Sequence, residues 1–222
     1  MPNFTFKFAA MGATKTRDLL AIDYNFRIDC GLKSFVIKPF LDDRDGYDII
    51  KSRDGGERKA DLVVHNETDI FEVVKEVMPN IVLVDEVQFM NKQHIIQLRR
   101  IVNELEIPVI AYGLKNDFLN EMFDGAKYAL LYADEFIQIK TLCRECKKKS
   151  ATMNIRYVGG VPTFEGKQIQ TGGDESYKAV CSKCYFELEK IYKKWLSKWI
   201  KQNIIIIEVK KWGDDNILWI LL

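Results

Sequence analysis

Apolar and polar positions alternate along Phe4-Thr5-Phe6-Lys7-Phe8, which predicts a short strand. From Thr16 to about Phe26, Leu19, Leu20 and Ile22 give the helical character of a packed segment. Ser34-Phe35-Val36-Ile37 predicts a second strand, stopped by Pro39. Strand, helix, strand is how a parallel α/β sheet begins. The polar segment from Asp42 to Lys59, with Gly46, Gly55 and Gly56, reads as a long functional loop. Ile81-Val82-Leu83-Val84 then runs straight into Asp85-Glu86, as a buried parallel strand does when it delivers carboxylates to its carboxyl edge. Ile95, Leu98, Ile101, Val102 and Leu105 mark an amphipathic helix over the sheet. Strands are predicted at Pro108–Ala111 and Glu135–Ile139, the latter closing the α/β part.

Beyond this, Leu188, Ile191, Trp195, Leu196 and Trp199 trace one face of a further helix. The stretch from Ile204 to Leu222 is apolar on both sides of Gly213-Asp214-Asp215-Asn216. It suits a hairpin and reads as packing onto a neighbouring subunit, with a disordered or artefactual extension as the alternative.

Composition narrows the partners. The 222 residues are 47% hydrophobic, enough for a buried core, and 33 basic against 32 acidic residues leave a net charge of +1. No long-range field therefore favours nucleic acid or an anionic membrane. Lys147-Lys148-Lys149 reads as a solvated turn, because no aromatic residues interleave with the charges. No signal-peptide pattern and no membrane-length apolar run are seen, so a soluble, cytoplasmic protein is expected.

Candidate chemistry begins with Cys143-x-x-Cys146 and Cys181-x-x-Cys184, separated by 34 residues. In a reducing compartment such paired knuckles are metal ligands, and four thiolates give Zn²⁺ a closed tetrahedral site with no open position. Zinc is thus expected to be structural. Cys30 has no partner motif and reads as a packed thiol.

Lys15-Thr16 follows a strand and opens a helix, where a P-loop places its phosphate-binding lysine and Mg²⁺-binding hydroxyl. Ala9 and Thr14 occupy the two positions at which that pattern has glycine, and only Gly12 keeps glycine freedom. Were residue 14 required to be left-handed, its β-branched side chain would strain the loop. Asp85 fits the second half of such a site, holding Mg²⁺ directly or through water, and Glu86 fits a general base on a substrate hydroxyl. Phe118, in Gly113-Leu114-Lys115-Asn116-Asp117-Phe118, reads as either a ring that stacks on a planar base or a core residue. Gln170-Thr171-Gly172-Gly173, ahead of Tyr177, reads as a ligand loop between the knuckles.

Taken in order, these segments resemble the zinc-containing thymidine kinase family. The resemblance runs from about Phe4 to Cys184. It is carried by the stretch Ala10-Met11-Gly12-Ala13-Thr14-Lys15-Thr16, by Lys38-Pro39-Phe40-Leu41-Asp42-Asp43-Arg44 and by Ser52-Arg53-Asp54-Gly55. Val84-Asp85-Glu86-Val87-Gln88-Phe89, the segment ending in Phe118, Ala133-Asp134, both cysteine pairs and Gly172-Gly173-x-x-x-Tyr177 complete it. The resemblance implies transfer of the ATP γ-phosphoryl group to the 5′-hydroxyl of thymidine, with Mg²⁺ bridging phosphates. Glu86 would be the base, while Thr16 and Asp85 would serve Mg²⁺. Nucleotide would meet Ala9, Ala10, Met11, Gly12, Ala13, Thr14, Lys15, Thr16, Asp42, Asp43, Arg44, Asp85 and Gln88. Nucleoside would meet Phe89, Phe118, Tyr177 and the backbone of Gln168, Ile169, Gln170, Thr171 and Gly172. A homotetramer is also implied.

The fold expected is α/β, a P-loop-type parallel sheet flanked by helices, with a small zinc-binding lobe carrying a substrate-covering loop. Residues 1–140 would form the ATP-binding part, 141–187 the zinc lobe, and 188–222 a helix with an atypical apolar tail. Because the phosphate loop lacks both usual glycines, a catalytically impaired nucleoside-binding or scaffold homologue stands as the alternative.

Overall fold

The structure is a computed structural model that describes residues 2–42, 46–168 and 177–203, the last three by backbone alone. The elements come in the order β1 (Phe4–Ala9), α1 (Lys15–Tyr24), β2 (Ser34–Pro39), β3 (Ile49–Lys51), β4 (Glu57–Lys59), β5 (Leu62–Val64), α2 (Ile70–Val77) and β6 (Ile81–Val84). They continue with α3 (Lys92–Glu104), β7 (Val109–Leu114), α4 (Asp124–Tyr132), β8 (Glu135–Gln138), β9 (Met153–Val158), β10 (Val161–Thr163), β11 (Tyr177–Val180) and α5 (Ser182–Asn203).

Six strands form one parallel sheet in the order β5-β2-β6-β7-β1-β8. Alternation along each strand sends side chains to opposite faces. Phe4, Phe6, Val82, Val84, Val109 and Ala111 pack against Phe71 and Val74 of α2, Ile95, Leu98 and Ile101 of α3, and Ala126 and Ala129 of α4. Leu19 of α1 covers Val36, Leu83 and Tyr112 on the other face. The expected flanked parallel sheet is therefore present. Its opening differs in one respect: β1 and β2 are not neighbours, because β6 and β7 lie between them. This order places the carboxyl ends of β6, β7 and β1 side by side, which is what builds the site.

Three further differences have local causes. The helix from Lys15 ends at Tyr24 and passes into a π-helical turn, Asn25–Asp29. The polar segment expected as a loop contains the β3–β4 hairpin, closed through Gly55 at φ +98° and anchored by the buried Ile50. Its Asp54-Gly55 pair is a hairpin signal. α2, which the pattern of Ile70, Phe71 and Val74 supports, begins at Asp69, whose carboxylate accepts Glu72 N–H at 3.2 Å.

The cysteine lobe is an antiparallel sheet, β10-β9-β11, followed by α5. Gly159 and Gly160, both with positive φ, turn β9 into β10. On α5, Tyr185 and Leu188 pack into this lobe, while Ile191, Trp195 and Trp199 are exposed on the single chain. The apolar stretch from Ile204 to Leu222 lies outside the described residues.

Candidate active site

The segment after β1 turns at Gly12, φ +72°, and enters α1 at Lys15. The left-handed position is thus residue 12 and not residue 14. Thr14 has φ −83° and ψ 35°, so its side chain meets none of the strain that a left-handed requirement would impose. It is the first flank of α1, and no side chain caps the helix start there. The opening N–H groups of α1 thus keep their positive end for an anion. Lys15 is buried, and the Thr16 hydroxyl lies 3.3 Å from Asp85 Oδ2.

Asp85 and Glu86 leave β6 at its carboxyl end, both buried. Asp85 N–H continues the sheet pattern by donating to Ile37 O at 2.9 Å. Glu86 then adopts a left-handed backbone, φ 48° and ψ 43°, which a non-glycine residue holds only where its surroundings enforce it. Its N–H donates to Asp85 Oδ1 and its carbonyl accepts Phe89 N–H, both at 3.1 Å, while the side chain is held by Gln88, whose Nε2 donates to Glu86 Oε2 and whose Oε1 accepts Leu114 N–H at 2.9 Å. The close fit requires Gly113, since a methyl group there would stand 2.6 Å from Gln88 Oε1. Burial, reinforced by the neighbouring Glu86 charge, pushes the Asp85 carboxyl up to about 7. Two crowded carboxylates and a hydroxyl are an oxygen donor set suited to a hard cation.

A cleft of about 470 Å³ opens from these groups, lined by residues 11–17, the hairpin residues 51–55, Glu86, Gln88, Phe89, Phe118, Asn154, Gln168 and Tyr177. Phe118 is almost fully buried, with the Arg156 guanidinium 3.9 Å from its ring centre and Tyr177 edge-on at 6.4 Å. The packed-ring reading of Phe118 therefore holds, and the ring also borders the cleft. Tyr185 OH donates to Phe118 O at 2.9 Å and fixes the segment from the cysteine lobe. Asp117 Oδ1 accepts Leu119 N–H and Glu121 N–H, both at 2.8 Å, shaping the turn behind Phe118.

Of the other predicted positions, Ala9 ends β1 opposite Leu114 and Ala10 packs on Ala151 and Ala179. Asp42 pairs with the buried Lys38 at 3.3 Å, and its charge adds to the upward push on the Asp85 carboxyl. Asp43 and Arg44 lie outside the described residues, as do Ile169, Gln170, Thr171 and Gly172. Sequence reasoning assigned no role to Lys51, Asp117, Asn154 or Arg156. Asn154 and Arg156 come from β9, and no local motif announces that this strand reaches the cleft.

Cys143, Cys146, Cys181 and Cys184 bring four ligand atoms within 4.8 Å of one another. Cys146 Sγ and Cys181 Sγ are 3.9 Å apart, close to the ~3.8 Å edge of a tetrahedron with 2.3 Å zinc–sulfur bonds. Lys148 N–H, the strongest of several donors, lowers the Cys146 thiol to about 6, which favours the thiolate a metal needs. The donor set fits structural zinc.

A glycine-turned loop opening a helix, faced by an acidic strand end on the same sheet, defines an α/β protein of P-loop type with a four-cysteine lobe. Residues 3–185 match the family model for thymidine kinase. The chain is 46% identical to the thymidine kinase of Enterococcus faecalis over 188 residues, covering 84% of this chain and 95% of that one. It is 44% identical to the thymidine kinase of Lactiplantibacillus plantarum over 195 residues, covering 87% and 100%, and 43% identical to that of Streptococcus pyogenes serotype M3 over 191 residues, covering 85% and 100%. The chain belongs to the thymidine kinase family.

Proposed function

We propose that this protein transfers the γ-phosphoryl group of ATP to the 5′-hydroxyl of thymidine, giving dTMP and ADP. The observation that carries the reading is that Lys15, Thr16 and Glu86 line one cleft together with Phe118 and Tyr177, while Asp85 meets the Thr16 hydroxyl at 3.3 Å. Thr16 and Asp85 would hold Mg²⁺, which when bound neutralises phosphate charge. Lys15 and the opening N–H groups of α1 bind the transferring phosphate.

Glu86, held by Gln88, accepts the proton of the 5′-hydroxyl as its oxygen bonds to phosphorus and the bond to ADP breaks. Phe118 and Tyr177 hold the base, and Phe89, packed edge-on to Phe123, walls the same side. The alternative of an impaired homologue rests on the absent glycines at Ala9 and Thr14 and on the atypical tail, and the negative φ of Thr14 speaks against strain at that one position. A coupled assay with thymidine and Mg-ATP should show turnover that Glu86→Gln abolishes. Absence of turnover at millimolar ATP would sink the reading.

A homotetramer is proposed on the family likeness, and the exposed Ile191, Trp195 and Trp199 support assembly of copies. Sedimentation at a single-chain mass would overturn it. No helix among the described residues is long and apolar enough to cross a membrane.

A further inference from the structure

We infer that Asn154 is a positioning residue for phosphoryl transfer, a strut by which the cysteine lobe sets the phosphate loop and the nucleoside loop at one fixed separation. The inference rests on the kinase reading above. Asn154 lies on β9 and is 2% exposed. Its Oδ1 accepts Met11 N–H at 2.8 Å, and its Nδ2 donates to Asn116 O at 3.2 Å. Those partners are backbone groups of two loops that belong to the α/β sheet, one leaving β1 and the other leaving β7. One needs an acceptor and the other a donor, which the two ends of one amide side chain supply together, and the amide orientation is assigned from those partners.

The same lobe touches the phosphate loop on either side of Met11. Ala10 packs on Ala151 and Ala179. At Gly12 an added methyl group would come 2.7 Å from Arg144 Nη2, whose residue stands between Cys143 and Cys146. Ala10 and Met11 are therefore held from outside the sheet, and Gly12 lies close against the Arg144 side chain. A P-loop that lacks its usual glycines keeps its course here by external support, and among the described residues Asn154 joins that support to the loop carrying Phe118. The distance from acceptor hydroxyl to phosphate depends on the separation of those loops, and misplacement by about 1 Å can lower a rate on the order of 10²-fold.

The role predicts a loss in kcat that exceeds any loss in binding. In Asn154→Ala, kcat should fall about 10- to 100-fold, while the separately measured Kd values for thymidine and Mg-ADP move less than about 3-fold and zinc content is unchanged. A kcat within about 3-fold of wild type, or a loss matched by the Kd values or by lost zinc, overturns the inference. Should the alanine variant fail to fold, Asn154→Val, which suits a strand and can bond neither backbone group, carries the same comparison. Hydrogen exchange at the Met11 amide gives a readout independent of turnover: it should quicken in either variant, and unchanged exchange overturns the strut. A wild type that binds both ligands but shows no turnover sinks the kinase reading alone, and the exchange result then decides for Asn154.

Discussion

Thr16 Oγ1 donates to Asp85 Oδ2 across 3.3 Å, joining the start of α1 to the end of β6 over 69 positions of chain. The contact aligns the hydroxyl and the carboxylate that the proposed mechanism assigns to Mg²⁺, and it does so beside a second buried carboxylate, Glu86.

That crowding has a pH signature. Burial and the Glu86 charge raise the Asp85 carboxyl to about 7 from the ordinary 3.8, so the protonated form is favoured in the folded protein. The resulting stabilisation is complete below the ordinary value and is lost as pH rises through about 7. In Mg²⁺-free buffer, Asp85→Asn should therefore gain thermal stability relative to wild type between pH 5.5 and 8, by roughly several degrees. A difference that stays flat with pH would refute this. Mg-nucleotide should bind wild type more tightly at pH 8 than at pH 6 and should bind the variant poorly.

Gln88 holds Glu86 in place, and the two should be separable by kinetics. Glu86→Gln should lower kcat on the order of 10²–10⁴-fold, the range of a positioned proton acceptor. Gln88→Leu takes one hydrogen bond from Glu86 and leaves Leu114 N–H without its acceptor, so kcat should fall less, about 10-fold, with a loss of about 1–3 kcal/mol in stability. Steady-state kinetics and denaturant unfolding check both, and equal kcat losses in the two variants would contradict the arrangement.

The loop residue that needs glycine is Gly12. Gly12→Ala should weaken Mg-ADP binding, because its φ of +72° and the Arg144 guanidinium both oppose a side chain. Thr14→Gly should bring no large gain in activity and should lose roughly 0.5–1 kcal/mol of stability through added freedom in the unfolded chain. Calorimetry of Mg-ADP on the two variants is the check. A large gain at Thr14→Gly would show that residue 14 is strained after all.

Metal removal should act on the loop as well as on the lobe. The purified protein should hold one zinc per chain, and Cys146→Ser should lower that content. Chelation should unfold β9–β11 and speed amide exchange at Met11, since Asn154 and Ala151 then leave the phosphate loop. Thermal unfolding with metal analysis tests this, and an unaltered protein after complete zinc loss would contradict it.

Much of this was legible along the chain, because some signals are local. The apolar run Ile81–Val84 ending in Asp85-Glu86, the Lys15-Thr16 pair after β1 and the two cysteine knuckles each state a backbone geometry and a chemistry within a few residues. The parallel α/β class and the cysteine cluster followed from them. Strand order did not, since β6 and β7 enter between β1 and β2 through contacts far apart in sequence.

Local spacing also cannot say which residue of a turn takes positive φ, and here the backbone assigned it to Gly12 and left Thr14 in ordinary geometry. Nor could it show that Asn154 and Arg156, on a strand of the cysteine lobe, reach across to the phosphate loop and to Phe118. Composition and periodicity determine which elements form and which faces are buried, because those depend on neighbours within a turn or two. The separation of the phosphate loop from the nucleoside loop is set by buried hydrogen bonds between distant segments, and only the folded chain brings those partners together.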